Sequence, residues 1–339
     1  MVYVSLPEDF HSERPSFYLA LEEYLATTKA FDDMLFVWQV GPSVIFGRNQ
    51  LAENEVNIGF CRERKIGMYR RKSGGGCVYA DKGNLMISYI TKEEPVGLTF
   101  SRYLGMVSLS LRLLGIESKA SGRNDLMIGD RKVSGNSFWH VSPRPRGRKE
   151  GPSEGRNIVH GTLLCDTCME NMIGSLTPDS EKLKSKGVSS IRERIALLKD
   201  FTPMGPSEIK SHIRATLCGD EEIILGQEDI REAESLEKEY LSEAFIYGKN
   251  PKYTLTRRGR IEGVGQMEIS LEVKGGVIRA LDIHGDYFIT GDIGGKIISP
   301  LIGVRLEEGT LRRALPDNIG DIILNITKED LINLLLGIK

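Results

Sequence analysis

The sequence predicts an α+β protein of two domains, a large one followed by a small one. The chain of 339 residues is longer than one hydrophobic core usually serves. Short β-branched and aromatic runs alternate with stretches of helical spacing, and glycines sit at their joints. After Asn250-Pro251 the chain again carries strands and short helices, enough for a core of its own. The expected domains are therefore 1–245 and 251–339, with 246–250 as a linker.

Taken in order, residues 16–27 mix Phe17, Leu19, Leu21, Tyr24 and Leu25 with Glu22 and Glu23, which predicts an amphipathic helix. MLFVWQV and SVIF flank Gly41-Pro42 and predict two strands of a hairpin. A helix is expected over 54–65, then three strands around MYRR, CVYA and LMISYI. Residues 100–114 have helical spacing, and Gly115 suits the left-handed end of a helix. NDLMIG and KVSGNSF form a strand pair turning at Gly129-Asp130. Residues 142–156, rich in proline, glycine and arginine, read as an exposed loop, and IVHGTLL resumes the sheet. Helices are expected at 191–199, 207–217 and 228–241. Beyond the linker, two strands join at Gly275-Gly276, and short helices follow near 308–314 and 327–336.

Composition narrows the function. Lys plus Arg number 45 against 47 Asp plus Glu, so no global charge draws the protein to nucleic acid or to an anionic membrane. No apolar run reaches membrane-spanning length, the opening residues lack a basic region followed by an apolar run, and the five cysteines form no dense framework. A cytoplasmic protein with free thiols is expected.

Two stretches carry chemistry. In Arg70-Arg71-Lys72-Ser73-Gly74-Gly75-Gly76, adjacent glycines let backbone N–H groups turn toward an anion, with cations beside them. The stretch lacks the Lys-Ser/Thr of a P-loop, and a glycine-rich turn with a solvated basic flank fits the same residues. The second is Asn124-Asp125, Lys132-Val133-Ser134-Gly135 and His160-Gly161-Thr162. These are polar groups within strand-like sequence, where Gly135 and Gly161 permit close approach of a ligand and Lys132 alone would pass for an exposed-face lysine.

Phe36-Val37-Trp38-Gln39 with Gly47-Arg48-Asn49-Gln50, then Arg70-Arg71 with Ser73-Gly74-Gly75-Gly76 and Gly83-Asn84, begin a pattern that the second stretch completes. Together, and in this order, they resemble the lipoate-protein ligase A family, relatives of the biotin ligases. Residues 176–194, with Lys184, Gly187, Val188 and Ser190, resemble the family's loop that folds over the adenylate, and HGDYF resembles its accessory domain. The resemblance implies a large mixed-sheet catalytic domain of the biotin/lipoate ligase type with a small α+β C-terminal accessory domain. It implies that lipoate, or octanoate, attacks the α-phosphate of ATP, and that a carrier lysine then takes the acyl group from the adenylate.

The resemblance also implies roles. Lys132 is the catalytic cation. Arg71, Gly76, Cys77, Val78, Tyr79, Asn84 and Lys132 hold ATP. Trp38, Arg71, Ser73, Gly74, Gly75, Lys132, Ser134, Gly135, His160, Gly161 and Thr162 hold lipoate, with His160 steadying the ligand-binding strand through a backbone hydrogen bond. Mg2+ accompanies ATP, with Asp125 as a candidate ligand and no carboxylate cluster to mark a dedicated site. The implied partners are lipoyl carrier domains of 2-oxoacid dehydrogenase complexes or the glycine cleavage H protein. Ala80 stands where many of these ligases carry histidine, and residues 142–156 are a basic insert whose function, if any, is docking of an acidic carrier. The rival within the fold is an ATP-independent, cysteine-dependent lipoyl or octanoyl transferase. Cys165-Asp166-Thr167-Cys168 has no second pair to complete a zinc site and is expected to be structural.

Overall fold

The computed structural model describes residues 1–50, 52–122, 124–142, 154–176, 192–247, 255–274 and 276–338. Contacts divide the chain into two units. The first is Met1–Phe46, Ala52–Arg71 and Cys77–Ile246, and the second is Gly47–Leu51, Lys72–Gly76 and Tyr247–Lys339. Two short stretches of the sequence motifs thus belong by contact to the second unit.

The first unit is built on a mixed sheet. Its strands are β1 (Val2–Ser5), β2 (Met34–Trp38), β6 (Asn84–Lys92), β7 (Lys119–Ser121), β8 (Asp125–Ile128), β9 (Arg131–Val141), β10 (Arg156–Leu164) and β11 (Glu222–Ile224). They run in the order β11-β1-β2-β6-β10-β9-β8-β7, parallel from β11 to β2 and antiparallel beyond. A second, three-stranded sheet places β3 (Ser43–Phe46) between β4 (Gly67–Arg70) and β5 (Val78–Ala80). Helix α1 (Pro15–Thr28) starts with proline at its first position, where the missing N–H costs nothing, and buries Phe17, Leu21 and Leu25 completely in the core with Phe36, Met86 and Ile158. Each such side chain contributes about 1.5–3 kcal/mol. Helix α4 (Val96–Leu113) lies on the opposite face, where Phe100 meets Phe138.

In the second unit, β12 (Leu255–Ile261), β13 (Gly265–Lys274) and β14 (Val277–Gly285) form an antiparallel sheet. Helices Glu308–Ala314 and Lys328–Leu336 pack on it around Met267, Ile269, Leu311, Leu331 and Leu335.

Three expectations are corrected. The runs flanking Gly41-Pro42 are strands but no hairpin: β2 pairs with β1 and β6, whereas β3 pairs with β4 and β5. The connection is tied elsewhere, since Gly41 N donates to Glu13 O and Pro42 O accepts from Gly67 N, so the glycine-proline pair marks a change of sheet. The helix expected over 54–65 is two, α2 (Ala52–Glu55) and α3 (Ile58–Glu63), because Asn57 caps the second by accepting from Phe60 N. Within 192–199, part of the helix expected over 191–199, Ile195 instead bridges Lys132 in parallel. Residues 143–153 of the basic insert, Lys184, Gly187, Val188 and Ser190, and the Asn250-Pro251 boundary lie outside the described residues.

Candidate active site

Strand register brings several of the singled-out residues onto one face. Trp38 pairs with Met86, Met86 with Thr162, Thr162 with Gly135 and Gly135 with Asp125, one row across β2, β6, β10, β9 and β8. The next row runs Phe36, Ser88, His160, Ser137. Opposed residues share a face, and this is the face α1 covers.

Lys132 should not be there. Three positions before Gly135, it would point to the other face of a regular strand. Between β8 and β9, however, Leu126 pairs with Ser134 and Met127 with Lys132, so Val133 is an extra residue in β9. This one-residue bulge turns Lys132 back onto the face of Gly135 and Asp125. Its backbone is held as well. β10 ends opposite Ser134, and the segment after it takes over, with Lys132 N donating to Arg194 O and Ala196 N donating to Lys132 O, both at 2.8 Å.

The ammonium lies over Gly135, where an added Cβ would come 2.7 Å from Lys132 Cε and 2.8 Å from Nζ. Nζ is 2.8 Å from Asp125 Oδ1, an ion pair without the alignment of a hydrogen bond. Gly135→Ala is therefore expected to fold normally, because the flexible end of a lysine can yield. It should nonetheless slow the chemistry about 100-fold by displacing the cation, as single-turnover kinetics beside a thermal melt would show.

Ser134, Asn136 and Gly161 occupy the opposite face. Ser134 Oγ donates to Asn136 Oδ1 at 3.1 Å, and Asn136 Nδ2 donates to Asn124 O at 2.8 Å, while Asn124 Nδ2 donates to Asn136 O. Gly161 leaves the space into which the Asn136 side chain folds. These residues fasten the floor of the site from behind.

Under α1 lies a chain of buried polar groups. Trp38 Nε1 donates to Ser88 Oγ at 2.8 Å, Ser88 Oγ donates to Glu22 Oε1 at 2.5 Å, and His160 Nδ1 lies 2.9 and 2.7 Å from the two carboxylate oxygens of Glu22. Glu22 is 1% exposed. Trp38 stacks on Tyr18 with ring centroids 4.7 Å apart. Thus the indole, through Ser88, and the imidazole are held on a single carboxylate. Glu22 and Ser88 were missed in the sequence. The usable signal was a glutamate four residues after Tyr18 and three before Leu25, on the apolar side of the helix.

In the second sheet, Arg71 follows β4, its N donating to Phe46 O and its Nη1 to Ile45 O at 3.0 Å. Burial pushes its guanidinium down to about 10, which leaves it charged at neutral pH. β5, carrying Val78 and Tyr79 after Cys77, is an edge strand, so N–H groups on its outer side have no strand partner. Ala80 is buried in the core. Asn84 opens β6. Its Nδ2 reaches Thr167 Oγ1 at 3.3 Å, and its Oδ1 is buried without a hydrogen bond, an acceptor awaiting a donor.

The turn before Asn84 is pinned by Asp81, which accepts from Gly83 N at 3.0 Å, Cys168 N at 2.9 Å and Thr167 Oγ1 at 3.1 Å. Any side chain at Gly83 would meet the Asp166 carbonyl. Gly83→Ala should therefore cost about 1–3 kcal/mol, read as a lower denaturation midpoint. Ser73, Gly74, Gly75 and Gly76 fall within the second unit, where Gly75 takes a φ of 83° that favours glycine and the space a side chain at Gly47 would need is filled by the Gly75 carbonyl.

No group of three or more metal-ligating side chains occurs among the described residues. Asp125 already faces the Lys132 ammonium, which would repel a dication at the same oxygen, so the residues at Asp125 do not fit a metal site. Cys165 and Cys168 are free thiols. Among the described residues no helix is long and apolar enough to cross a membrane.

The family described as the lipoyl protein ligase A/B catalytic domain matches residues 14–218, and the bacterial lipoate protein ligase C-terminus matches residues 250–335. The chain is 33% identical to lipoate-protein ligase LplJ of Bacillus subtilis, over 95% of this chain and 96% of that one. It is equally 33% identical to lipoate–protein ligase 1 of Staphylococcus aureus, over 91% and 94%. In fold it is similar to P. falciparum LipL1, solved in complex with lipoate, with a TM-score of 0.74 at 18% identity, covering 99% of this chain and 98% of that one. A lipoate-protein ligase A solved with ATP has a TM-score of 0.60 at 23% identity, covering 73% and 98%.

Proposed function

From a chain that belongs to the lipoate-protein ligase family, we propose an enzyme that condenses lipoate with ATP to lipoyl-AMP and pyrophosphate, then passes the lipoyl group to a carrier lysine. The observation that carries this reading is the bulge that sets Lys132 on the same face as Gly135, Thr162 and His160.

In the first step, a carboxylate oxygen attacks the α-phosphorus and pyrophosphate leaves. Two anions must approach, and the Lys132 ammonium between them offsets their repulsion. Its ion pair with Asp125 holds the charge ready and can be exchanged for the substrate's oxygens. In the second step, the carrier amine attacks the acyl carbon, the carbonyl oxygen gains negative charge, AMP leaves, and the same ammonium stabilises that oxyanion. Arg71 supplies a second fixed cation to the phosphates. The N–H groups of Cys77, Val78 and Tyr79 offer hydrogen bonds to phosphate oxygens, and Asn84 Oδ1 accepts from the nucleotide.

Trp38, Thr162 and His160 line the acyl chain over Gly135 as floor, Ser134 and Gly161 fasten that floor from behind, and Arg71 adds a cation for the carboxylate. Magnesium would come with ATP as its counter-ion and would lower the phosphate charge. Octanoate is accepted as a shorter analogue. The carriers are lipoyl domains of 2-oxoacid dehydrogenase complexes or the glycine cleavage H protein, and the enzyme acts in the cytoplasm.

The cysteine transferase reading requires a thiolate. Burial pushes the thiols of Cys61, Cys77, Cys165 and Cys218 upward, that of Cys165 to about 12 and that of Cys218 to about 11. Intact-mass measurement of a purified lipoyl domain separates the two. The ligase adds a lipoyl group only when ATP is present, and Cys77→Ser leaves that intact. Transfer from an acylated carrier without ATP would reject adenylation.

A further inference from the structure

At the carboxyl ends of the parallel strands β1 and β2 lies a cavity of about 450 Å3, closed on one side by helix Pro206–Cys218. Its size is within the range of small-molecule sites, about 300–1,000 Å3. The crevice outside the carboxyl ends of parallel strands is also where open sheets take ligands. Of the residues assigned above to the acyl and nucleotide sites, Trp38 alone lines it, so the cavity is a separate compartment behind that indole.

Its two walls differ in chemistry. Phe10, Leu21 and Phe36 form an apolar wall from the core side. Opposite them, Ser207, Lys210, Ser211 and Arg214 recur at three- and four-residue spacing and so share one face of the helix. No aspartate or glutamate lines the cavity. Glu208, on the same helix, turns back to accept from Gly205 N at 2.7 Å. Arg214 is already engaged, donating to Glu222 Oε2 at 2.7 Å and lying 5.1 Å from the Tyr3 ring centroid. Lys210 has neither an ion pair nor a hydrogen bond among the described residues, and burial lowers the affinity of its amine for the proton. A half-buried cation with no protein counter-charge, facing an apolar wall across a partly open cavity, is half of an ion pair whose other half comes from solution.

We propose that this cavity is a second, non-catalytic site for a small amphipathic carboxylate, with its carboxylate on Lys210 and its apolar body against Phe10, Leu21 and Phe36. One uncompensated positive charge suits a monoanion, and the apolar wall selects an aliphatic or aromatic acid over an inorganic anion. Because the cavity backs on Trp38, occupancy buttresses the wall of the acyl site from behind.

The test is residue-resolved lysine acetylation of the full-length protein, followed by mass spectrometry, with octanoate as the probe. Octanoate is expected to slow acetylation of Lys210 about tenfold in the wild type and equally in Lys132→Ala, since the cavity does not depend on the catalytic lysine. Equilibrium dialysis should find one fewer octanoate equivalent bound to Lys210→Met than to the wild type. Protection of Lys132 without protection of Lys210 would place the acid in the catalytic site only and overturn the proposal. Equal protection by inorganic phosphate would overturn the assignment of an amphipathic acid.

Discussion

Lys132→Ala is expected to lower lipoate-dependent pyrophosphate release about 100- to 1,000-fold, the usual loss when one preorganised oxyanion donor is removed. The transfer step, started from chemically prepared lipoyl-AMP, should fall by a similar factor, because the same ammonium serves both steps. Stability should hardly change. The Lys132 backbone keeps its bonds to Arg194 and Ala196, and its side chain is partly exposed, so Asp125 regains water when the ion pair is lost. Lys132→Arg should rescue poorly, since the space over Gly135 holds the tip of a lysine and a planar guanidinium is broader. Rapid-quench kinetics of each half-reaction, beside a thermal melt, checks all of this. Loss of the first step alone would confine the lysine to adenylation.

Glu22→Ala should be the most destabilising of the substitutions considered. The carboxylate is the common acceptor of His160 and Ser88, and through Ser88 it holds the Trp38 indole. Its removal leaves buried donors with no partner and a cavity beneath α1. The expected cost is about 3 kcal/mol, or a fall in Tm of about 6–12 °C for a domain of this size. Glu22→Gln keeps one acceptor oxygen and should lose about half as much. Lipoate affinity should drop in both, because the indole and imidazole lose their shared anchor. Calorimetry together with titration of lipoate separates the two effects. A normal Tm in Glu22→Ala would mean that water or relaxation replaces the carboxylate, and would remove the argument that it fixes the face.

Elements with a strong local pattern were legible. The amphipathic spacing of α1 and α4 and the glycine turn between β8 and β9 appear where periodicity and turn chemistry place them. Pairing was less legible. Gly41-Pro42 showed that the chain turns, but which strand each run joins depends on partners far along the chain, such as β6 for β2 and β4 for β3.

The short strands β1, β7 and β11 carry too few residues to show a period at all. The candidate site was legible as residue types, with Lys132, Gly135, His160 and Thr162 standing out as polar or small groups among strand residues. The orientation of Lys132 was not. A bulge has no sequence signature, and without the extra Val133 the lysine would face away from Asp125. Glu22 was legible only to a reader who asked why a carboxylate should sit on the apolar side of a helix.

The most direct test of the account is pyrophosphate release from ATP by the full-length protein, with lipoate, octanoate or biotin added in turn. Release is expected with lipoate, more weakly with octanoate and not with biotin, with the lipoate signal lost in Lys132→Ala. Absence of release with every acid, from protein that melts cooperatively, would contradict adenylation and with it the role assigned to Lys132.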